Sequence, residues 1–222
     1  MRIWRILFPV RELGPGSRLG IWVQGCLRAC PGCANPELQA MDEKQDIPED
    51  ILFPMLCTAA AAGRLDGITV TGGEPMLQAG AVRRMLEALR PLCGDVLVYT
   101  GFTIGELRAS GDPDVAGVLA RTSVLVDGEY RAAENRGERL RGSANQRIIF
   151  LDEAVRPRYE AYMRAGSRII DSFVAVNGIV SVGIHPPEFR KRLDRDPGIP
   201  PRTDPPRRET PANAVPEGGG PG

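Results

Sequence analysis

The 222-residue sequence has few cysteines, a single histidine and no excess of charge of either sign. Because 28 basic side chains balance 28 acidic ones, the composition gives no electrostatic argument for binding nucleic acid. No apolar run is long enough to cross a bilayer, so we expect no contact with membranes. Arg5 and Arg11 interrupt the apolar start of the chain, and no small-residue cleavage site follows. We therefore expect no signal peptide and a cytoplasmic location, where thiols stay reduced.

The five cysteines argue against a framework of disulfides, because their number is odd and three are crowded together. Cys26, Cys30 and Cys33 fall within eight residues, in a C-x3-C-x2-C spacing. In a reducing compartment this group favours a metal site over a disulfide. Cys57 and Cys93 lie in apolar, helical surroundings, and we expect them to pack in the core.

The composition changes near the end of the chain. Residues 186–222 hold ten of the 20 prolines, with mixed charges and few large apolar side chains. Such a segment cannot bury enough surface to offset the entropy lost on ordering. The sequence therefore predicts one folded domain at residues 1–185 and a disordered Pro/Gly-rich tail at residues 186–222.

Short apolar runs, each punctuated by Gly or Asp, alternate with helical patterns. The runs have the form of parallel strands covered on both faces, and they are residues 20–25, 67–73, 95–101, 123–128 and 146–151. Helices are predicted at residues 48–62, with a kink or late start at Pro54, and at residues 79–92. Thr103 and Glu106 form a capping box that begins another helix. This alternation predicts an α/β fold with a parallel sheet, and Asn177-Gly178 predicts a C-terminal β-hairpin.

The carboxyl ends of the predicted strands hold the unusual residues. Cys26 follows the first run, the Gly72-Gly73-Glu74 turn follows the second, and Asp127 closes the fourth. Because ligands bind beyond the carboxyl ends of parallel strands, we expect a site at this edge.

Three other side chains are expected to have structural roles. Arg18 precedes the first run and is interpreted as a surface charge. Trp22 and Tyr99 are interpreted as core residues.

Three thiolates leave a metal centre short of one ligand. A structural zinc site would need a fourth ligand, and His185 lies far along the chain in a turn-like segment. A 4Fe-4S cubane also takes four ligands, so three cysteines would leave one iron open to a non-protein ligand. An open iron favours a reactive cluster over an electron relay, although zinc stays an alternative here.

The motif at Cys26, Cys30 and Cys33 resembles that of the radical S-adenosylmethionine (SAM) superfamily. The TGGEP sequence at residues 71–75 is similar to the superfamily's second motif, which lines the methionine end of SAM. The resemblance implies a 4Fe-4S cluster on the cysteines whose open iron chelates SAM, and reductive cleavage of SAM to a 5′-deoxyadenosyl radical. It also implies a partial, open parallel β/α barrel. Gly72, Gly73 and Glu74 would then hold SAM, because glycines let the backbone approach a ligand closely.

Further segments resemble the glycyl-radical-enzyme activating branch of this superfamily, which includes the activating proteins of anaerobic ribonucleotide reductase and of pyruvate formate-lyase. The matching segments are residues 14–26, 30–37, 99–107 and 124–149. The resemblance implies hydrogen abstraction from a partner protein, a glycyl radical enzyme such as anaerobic ribonucleotide reductase. It also implies an external electron donor such as flavodoxin or ferredoxin. By the same resemblance Asp127, Ser143, Asn145 and Arg147 surround the SAM.

Two positions depart from the superfamily's pattern. Gly32 stands where many members carry an aromatic residue that packs on adenine. Glu129 stands where relatives often carry a lysine that meets the SAM carboxylate, so the charge is inverted there. Two alternative functions stay open: a radical SAM enzyme that modifies a peptide or small molecule, and a non-catalytic iron–sulfur or zinc-binding interaction module.

Overall fold

The computed structural model of the protein describes residues 1–166, 170–175 and 178–183. Within these ranges the chain forms a six-stranded sheet, a separate two-stranded sheet and five α-helices. The expected α/β class and the C-terminal hairpin are confirmed. Asn177, His185 and the predicted tail at residues 186–222 lie outside the described residues.

The six-stranded sheet follows the order of the chain. Its strands are β1 (Ile3–Val10), β2 (Arg18–Val23), β3 (Gly67–Gly72), β4 (Val96–Tyr99), β5 (Val124–Asp127) and β6 (Arg147–Phe150). Strands β2 to β5 are parallel, whereas β1 and β6 pair antiparallel at the two edges. The carboxyl ends of β2 to β5 therefore share one edge, as the sequence predicts. Among the described strands β1 and β6 do not pair with each other, so the sheet is open, and its curvature into a partial barrel stays a prediction.

Two strands differ from the expectation. The sequence pattern does not predict β1, because Arg5 and Pro9 interrupt its apolar residues; pairing with β2 holds it in place. The run at residues 146–151 is not a parallel strand covered on both faces. It forms β6, an antiparallel edge strand with one exposed and three half-buried residues. The fully described connection at residues 128–146 contains no α-helix to carry a parallel crossover, so the chain returns antiparallel.

The helices are α1 (Glu49–Ala61), α2 (Ala79–Leu89), α3 (Ile104–Ala109), α4 (Pro113–Leu119) and α5 (Arg156–Arg164). Both longer helices were expected, but α1 runs through Pro54 from Glu49, so a late start is wrong. The capping box at Thr103 and Glu106 is confirmed at α3. Helices α4 and α5 were not expected. No helix of the described part of the chain is long and apolar enough to span a membrane.

The two faces of the six-stranded sheet pack against different elements. One face forms the main core with α1, α2 and α4, through side chains such as Leu56, Met85 and Val118. On the other face Leu97 and Val126 pack with Tyr159 of α5. The expected core positions of Trp22 and Tyr99 are confirmed, since each packs in or against a cluster on this second face. The hairpin strands β7 (Asp171–Ala175) and β8 (Gly178–Val182) supply Phe173, Val180 and Val182 to the Trp22 cluster.

Arg18 is fully buried, so its interpretation as a surface charge is wrong. Its guanidinium donates to Thr69 Oγ1 and to the Ile68 carbonyl, both at 2.7 Å, and lies 3.2 Å from Asp95 Oδ1. These partners satisfy a charge that would otherwise be costly to bury. Because Arg18 begins β2, it anchors the sheet at the edge opposite the cysteines.

Candidate functional site

The three motif cysteines lie on the loop that follows β2. The Cys26 backbone N–H donates to the Gln39 carbonyl at 3.1 Å, which ties the start of the loop to its far side. The Cys33 backbone N–H donates to the Cys30 carbonyl, also at 3.1 Å, so these two cysteines share one turn. Each of the three is half-buried. The loop therefore presents three thiols near the carboxyl edge of the sheet.

The environment of Cys26 favours the neutral thiol. Burial raises its pKa, and backbone hydrogen bonds involving Arg28 and Ala29 offset part of that rise. The nearby Glu74 and Cys33 raise the pKa further through charge repulsion. A bound metal would have to displace this proton, because only the thiolate is a strong ligand.

The donor chemistry of the loop fits an iron–sulfur cluster, which is held by cysteine thiolates. In this structure, however, no three Cys, His, Asp or Glu side chains of the described residues are gathered closely enough to hold a metal ion. The backbone between the cysteines has left-handed φ values of 45° at Ala29 and 70° at Gly32. The cysteine loop is thus tightly turned between its three thiols.

Gly72 and Gly73 allow the turn after β3 to pack closely against the start of the cysteine loop. The Gly73 N–H donates to the Val23 carbonyl and the Glu74 N–H to the Gly25 carbonyl, both at 2.8 Å. A β-carbon on Gly72, whose φ is 105°, would lie 2.5 Å from the Val23 carbonyl oxygen. One on Gly73 would lie 2.4 Å from the Gly25 carbonyl oxygen. The glycines are thus required for contact between two loops, a reason that the motif alone did not reveal.

Glu74 is buried, with 1% of its surface exposed. Its carboxylate accepts hydrogen bonds from Thr100 Oγ1 at 2.8 Å, the Gly101 N–H at 2.7 Å and the Met76 N–H at 3.0 Å. Burial raises the pKa of Glu74, and these hydrogen bonds oppose the rise. Glu74 therefore joins the turn after β3 to the end of β4. Its predicted contact with SAM is a separate matter and stays a prediction.

Asp127 ends β5 with a fully buried side chain. It accepts from the Ile104 N–H at 2.7 Å, at the start of α3, and from Arg147 Nε at 2.9 Å. The second guanidinium nitrogen of Arg147 also donates to it. This pairing raises the pKa of Arg147, whose side chain is 55% exposed. Asp127 therefore holds a permanently charged guanidinium at the start of β6.

The loop between β5 and β6 is held by Ser143, Asn145 and their partners. Asn145 Nδ2 donates to the Glu129 carbonyl at 2.9 Å, and Ser143 Oγ accepts from the Arg131 N–H at 3.1 Å. The Glu129 carboxylate lies 3.1 Å from Arg131 Nε, so the inverted charge at Glu129 has a cationic partner. Asn145 Oδ1 is buried and has no hydrogen-bond partner among the described residues.

A polar cavity of about 370 Å³ lies at this edge of the sheet. Its walls come from the cysteine loop, the turns after β4 and β5, and the start of β6: Arg28, Gly101, Thr103, Glu106, Asp127, Gly128, Glu129, Arg131, Asn145 and Arg147. The cavity thus brings together three of the predicted site residues, Asp127, Asn145 and Arg147. The cysteines, Gly72, Gly73 and Glu74 are not in its lining, although Glu74 binds the backbone of Gly101.

The family model described as "4Fe-4S single cluster domain" matches residues 13–149, which include the cysteine loop and the whole cavity lining. The chain belongs to this family. The match confirms the expected type of cluster domain and disfavours structural zinc. Together with the individual relatives described below, the match also confirms the resemblance to the activating proteins of glycyl radical enzymes.

Three relatives of the chain share one name, anaerobic ribonucleoside-triphosphate reductase-activating protein. The one from Vibrio cholerae is 31% identical over 144 residues, which cover 61% of this chain and 88% of the relative. The relative from Escherichia coli strain K12 is 29% identical over 146 residues, which cover 62% of this chain and 91% of the relative. The relative from Pasteurella multocida is 31% identical over 146 residues, which cover 61% of this chain and 88% of the relative.

Sequence reasoning missed Arg28, Thr103, Glu106 and Arg131 as parts of the cavity. Arg28 lies within the cysteine motif itself, and this position is the sequence signal that could have marked it as a residue of the site. Thr103 and Glu106 were recognised only as a helix cap, because a capping box carries no information about which cavity it borders. Cys57 and Cys93 pack against the main core, in agreement with their expected role.

Proposed function

We propose that the protein is a radical SAM activase of the glycyl-radical type. Cys26, Cys30 and Cys33 would hold a 4Fe-4S cluster, and the adjoining cavity would hold SAM. When bound, the cluster supplies one electron that splits a carbon–sulfur bond of SAM, releasing methionine and a 5′-deoxyadenosyl radical. That radical would take a hydrogen atom from a glycine of the partner, which would leave 5′-deoxyadenosine and a glycyl radical. The observation that carries the proposal is the cysteine loop beside a polar cavity at one sheet edge.

The charges of the cavity suit the zwitterionic amino-acid end of SAM. Arg147, held by Asp127, offers a cation to a ligand carboxylate, and the volume of about 370 Å³ lies in the range of small-molecule sites. The Asn145 Oδ1 atom, which has no partner in the described structure, offers an acceptor to a ligand N–H or O–H. Gly72, Gly73 and Glu74 would act on SAM from the other side, by the superfamily resemblance.

The partner would be a glycyl radical enzyme, and anaerobic ribonucleotide reductase is favoured because the relatives are named for activating it. An open sheet edge, curved as a partial barrel, suits a large partner that must present a loop to the radical. The reducing electron would come from an external donor such as flavodoxin or ferredoxin, in the cytoplasm.

The proposal is tested by product analysis. Protein reconstituted anaerobically with iron and sulfide is given dithionite and SAM, and 5′-deoxyadenosine and methionine are quantified. We expect both products in equal amounts. Addition of an anaerobic ribonucleotide reductase should then give the electron paramagnetic resonance (EPR) doublet of a glycyl radical. Bound zinc without labile sulfide would instead support a non-catalytic module, and SAM cleavage without a glycyl radical would support a peptide or small-molecule substrate.

A further inference from the structure

Arg28 connects the cysteine loop to the segment that follows β4. Its Nη2 atom lies 3.3 and 3.4 Å from the two carboxylate oxygens of Glu106. Its guanidinium carbon lies 4.3 Å from the centre of the Phe102 ring, which is a cation–π geometry. Arg28 is the residue midway between Cys26 and Cys30, so these contacts act directly on the cysteine loop.

The path of the Arg28 side chain depends on Gly101. A β-carbon on Gly101 would lie 2.7 Å from Arg28 Cδ and 3.4 Å from Glu74 Oε2. The absence of that carbon lets Arg28 pass over the end of β4, where Glu74 already binds the Gly101 N–H. The Arg28 side chain is accordingly 23% exposed, and it lines the cavity.

The anchor that Arg28 reaches is itself ordered. The Glu106 carboxylate accepts from the Thr103 N–H at 2.6 Å and from Thr103 Oγ1 at 2.8 Å, within the capping box of α3. Arg28 therefore meets a carboxylate that the capping box also holds. Arg28 Nε is buried and has no hydrogen-bond partner within the described ranges, so the contacts of Arg28 run through Nη2 and the face of its guanidinium.

We propose that Arg28 is a positioning residue. It holds the cysteine loop against the segment from Phe102 to Glu106, and this contact sets the placement of the cluster relative to SAM in the cavity. The proposal rests on the proposed function. Because the guanidinium contacts the Phe102 ring through its carbon and Glu106 through one nitrogen at the same time, the single ammonium of lysine at position 28 cannot replace it.

Arg28→Ala and Arg28→Lys test the proposal in the reconstituted full-length protein. We expect iron and sulfide contents near those of the wild type. We also expect a smaller SAM-induced change in the EPR spectrum of the reduced cluster. The kcat/KM for 5′-deoxyadenosine formation should fall about 10- to 100-fold, as for other residues that orient metal ligands. Glu106→Gln should change the same spectrum in the same direction. The double variant that combines Glu106→Gln with Arg28→Ala should have a spectrum close to that of Arg28→Ala alone.

Arg84→Ala is the matched control, since it removes a paired contact with Glu49 at 2.7 Å on the outer helices. It should leave the EPR spectrum and kcat/KM unchanged. A wild-type SAM response in Arg28→Ala, or in Arg28→Lys, would overturn the positioning role. Should Arg28→Ala fail to fold, a wild-type response in Glu106→Gln would overturn it. A wild-type protein that neither assembles a cluster nor cleaves SAM would instead refute the proposed function.

Discussion

Gly73 and Gly25 are in backbone contact, and a β-carbon on Gly73 would lie only 2.4 Å from the Gly25 carbonyl oxygen. This contact joins the turn after β3 to the first residues of the cysteine loop. The two sequence motifs therefore meet physically, whatever they bind.

Gly73→Ala should lower the free energy of unfolding of the metal-free protein by about 1–3 kcal/mol, because backbone atoms cannot yield to the added carbon. Urea unfolding measures the change. Gly105→Ala is the control: its β-carbon would lie 3.9 Å from the nearest atom, Thr103 Oγ1, inside α3. It should be neutral or stabilising by up to about 1 kcal/mol. Equal stabilities for the two variants would contradict the proposed steric contact.

Glu74→Ala should destabilise the protein by about 2 kcal/mol or more, because it leaves the buried donors of Thr100, Gly101 and Met76 without their acceptor. Glu74→Gln retains one acceptor oxygen, so it should destabilise the protein less than Glu74→Ala does. Thermal unfolding of the metal-free variants checks the order. If glutamine were as harmful as alanine, the charge of Glu74 rather than its hydrogen bonds would dominate.

Replacing Cys26, Cys30 or Cys33 by alanine should abolish both the brown absorbance of the reconstituted cluster and the cleavage of SAM. Each loss follows from removing one of the three thiolates that we propose as cluster ligands. Cys57→Ala and Cys93→Ala are the controls, since both residues pack against the main core. They should leave visible absorbance and product formation nearly intact. Loss of the cluster in Cys93→Ala would require a revised ligand assignment.

Two tyrosines, the buried Tyr159 and the half-buried Tyr162, should resist ionisation in alkali. Burial raises the pKa of Tyr162 to about 12 and raises that of Tyr159, whose hydroxyl donates to Asp95 at 2.7 Å. Because these folded-state pKa values exceed the unfolded value of about 10, their stabilising effect is complete below pH 10. It is lost progressively as the pH rises through the folded values.

Ultraviolet titration of tyrosinate checks this prediction. Fewer than the four tyrosines of the chain should ionise near pH 10 while the protein stays folded. The remaining absorbance should appear only with unfolding, which circular dichroism follows. Tyr159→Phe should reduce that late component. Ionisation of all four near pH 10 in the folded state would contradict the raised pKa values of Tyr159 and Tyr162.

The sheet edge that holds the candidate site could be predicted because it depends on local patterns. Apolar runs that end in Cys26, Glu74 and Asp127 mark strand ends, and parallel strands carry such ends to one edge. The direction of β6 could not be predicted in this way. Its apolar run has the same form as a buried parallel strand, and only the connection from β5 decides how it pairs.

The sequence by itself determined the local features of this protein: three thiols at a fixed spacing, a glycine-rich turn and the alternation that builds a parallel sheet. Each of these is encoded by neighbouring residues, so spacing is enough to recognise it. Only the tertiary structure decided that Arg18 is buried and that Arg28 reaches Glu106. It also decided that Gly73 packs on Gly25. Such contacts join residues far apart in the chain, and their partners are chosen by how the strands pack rather than by any local pattern.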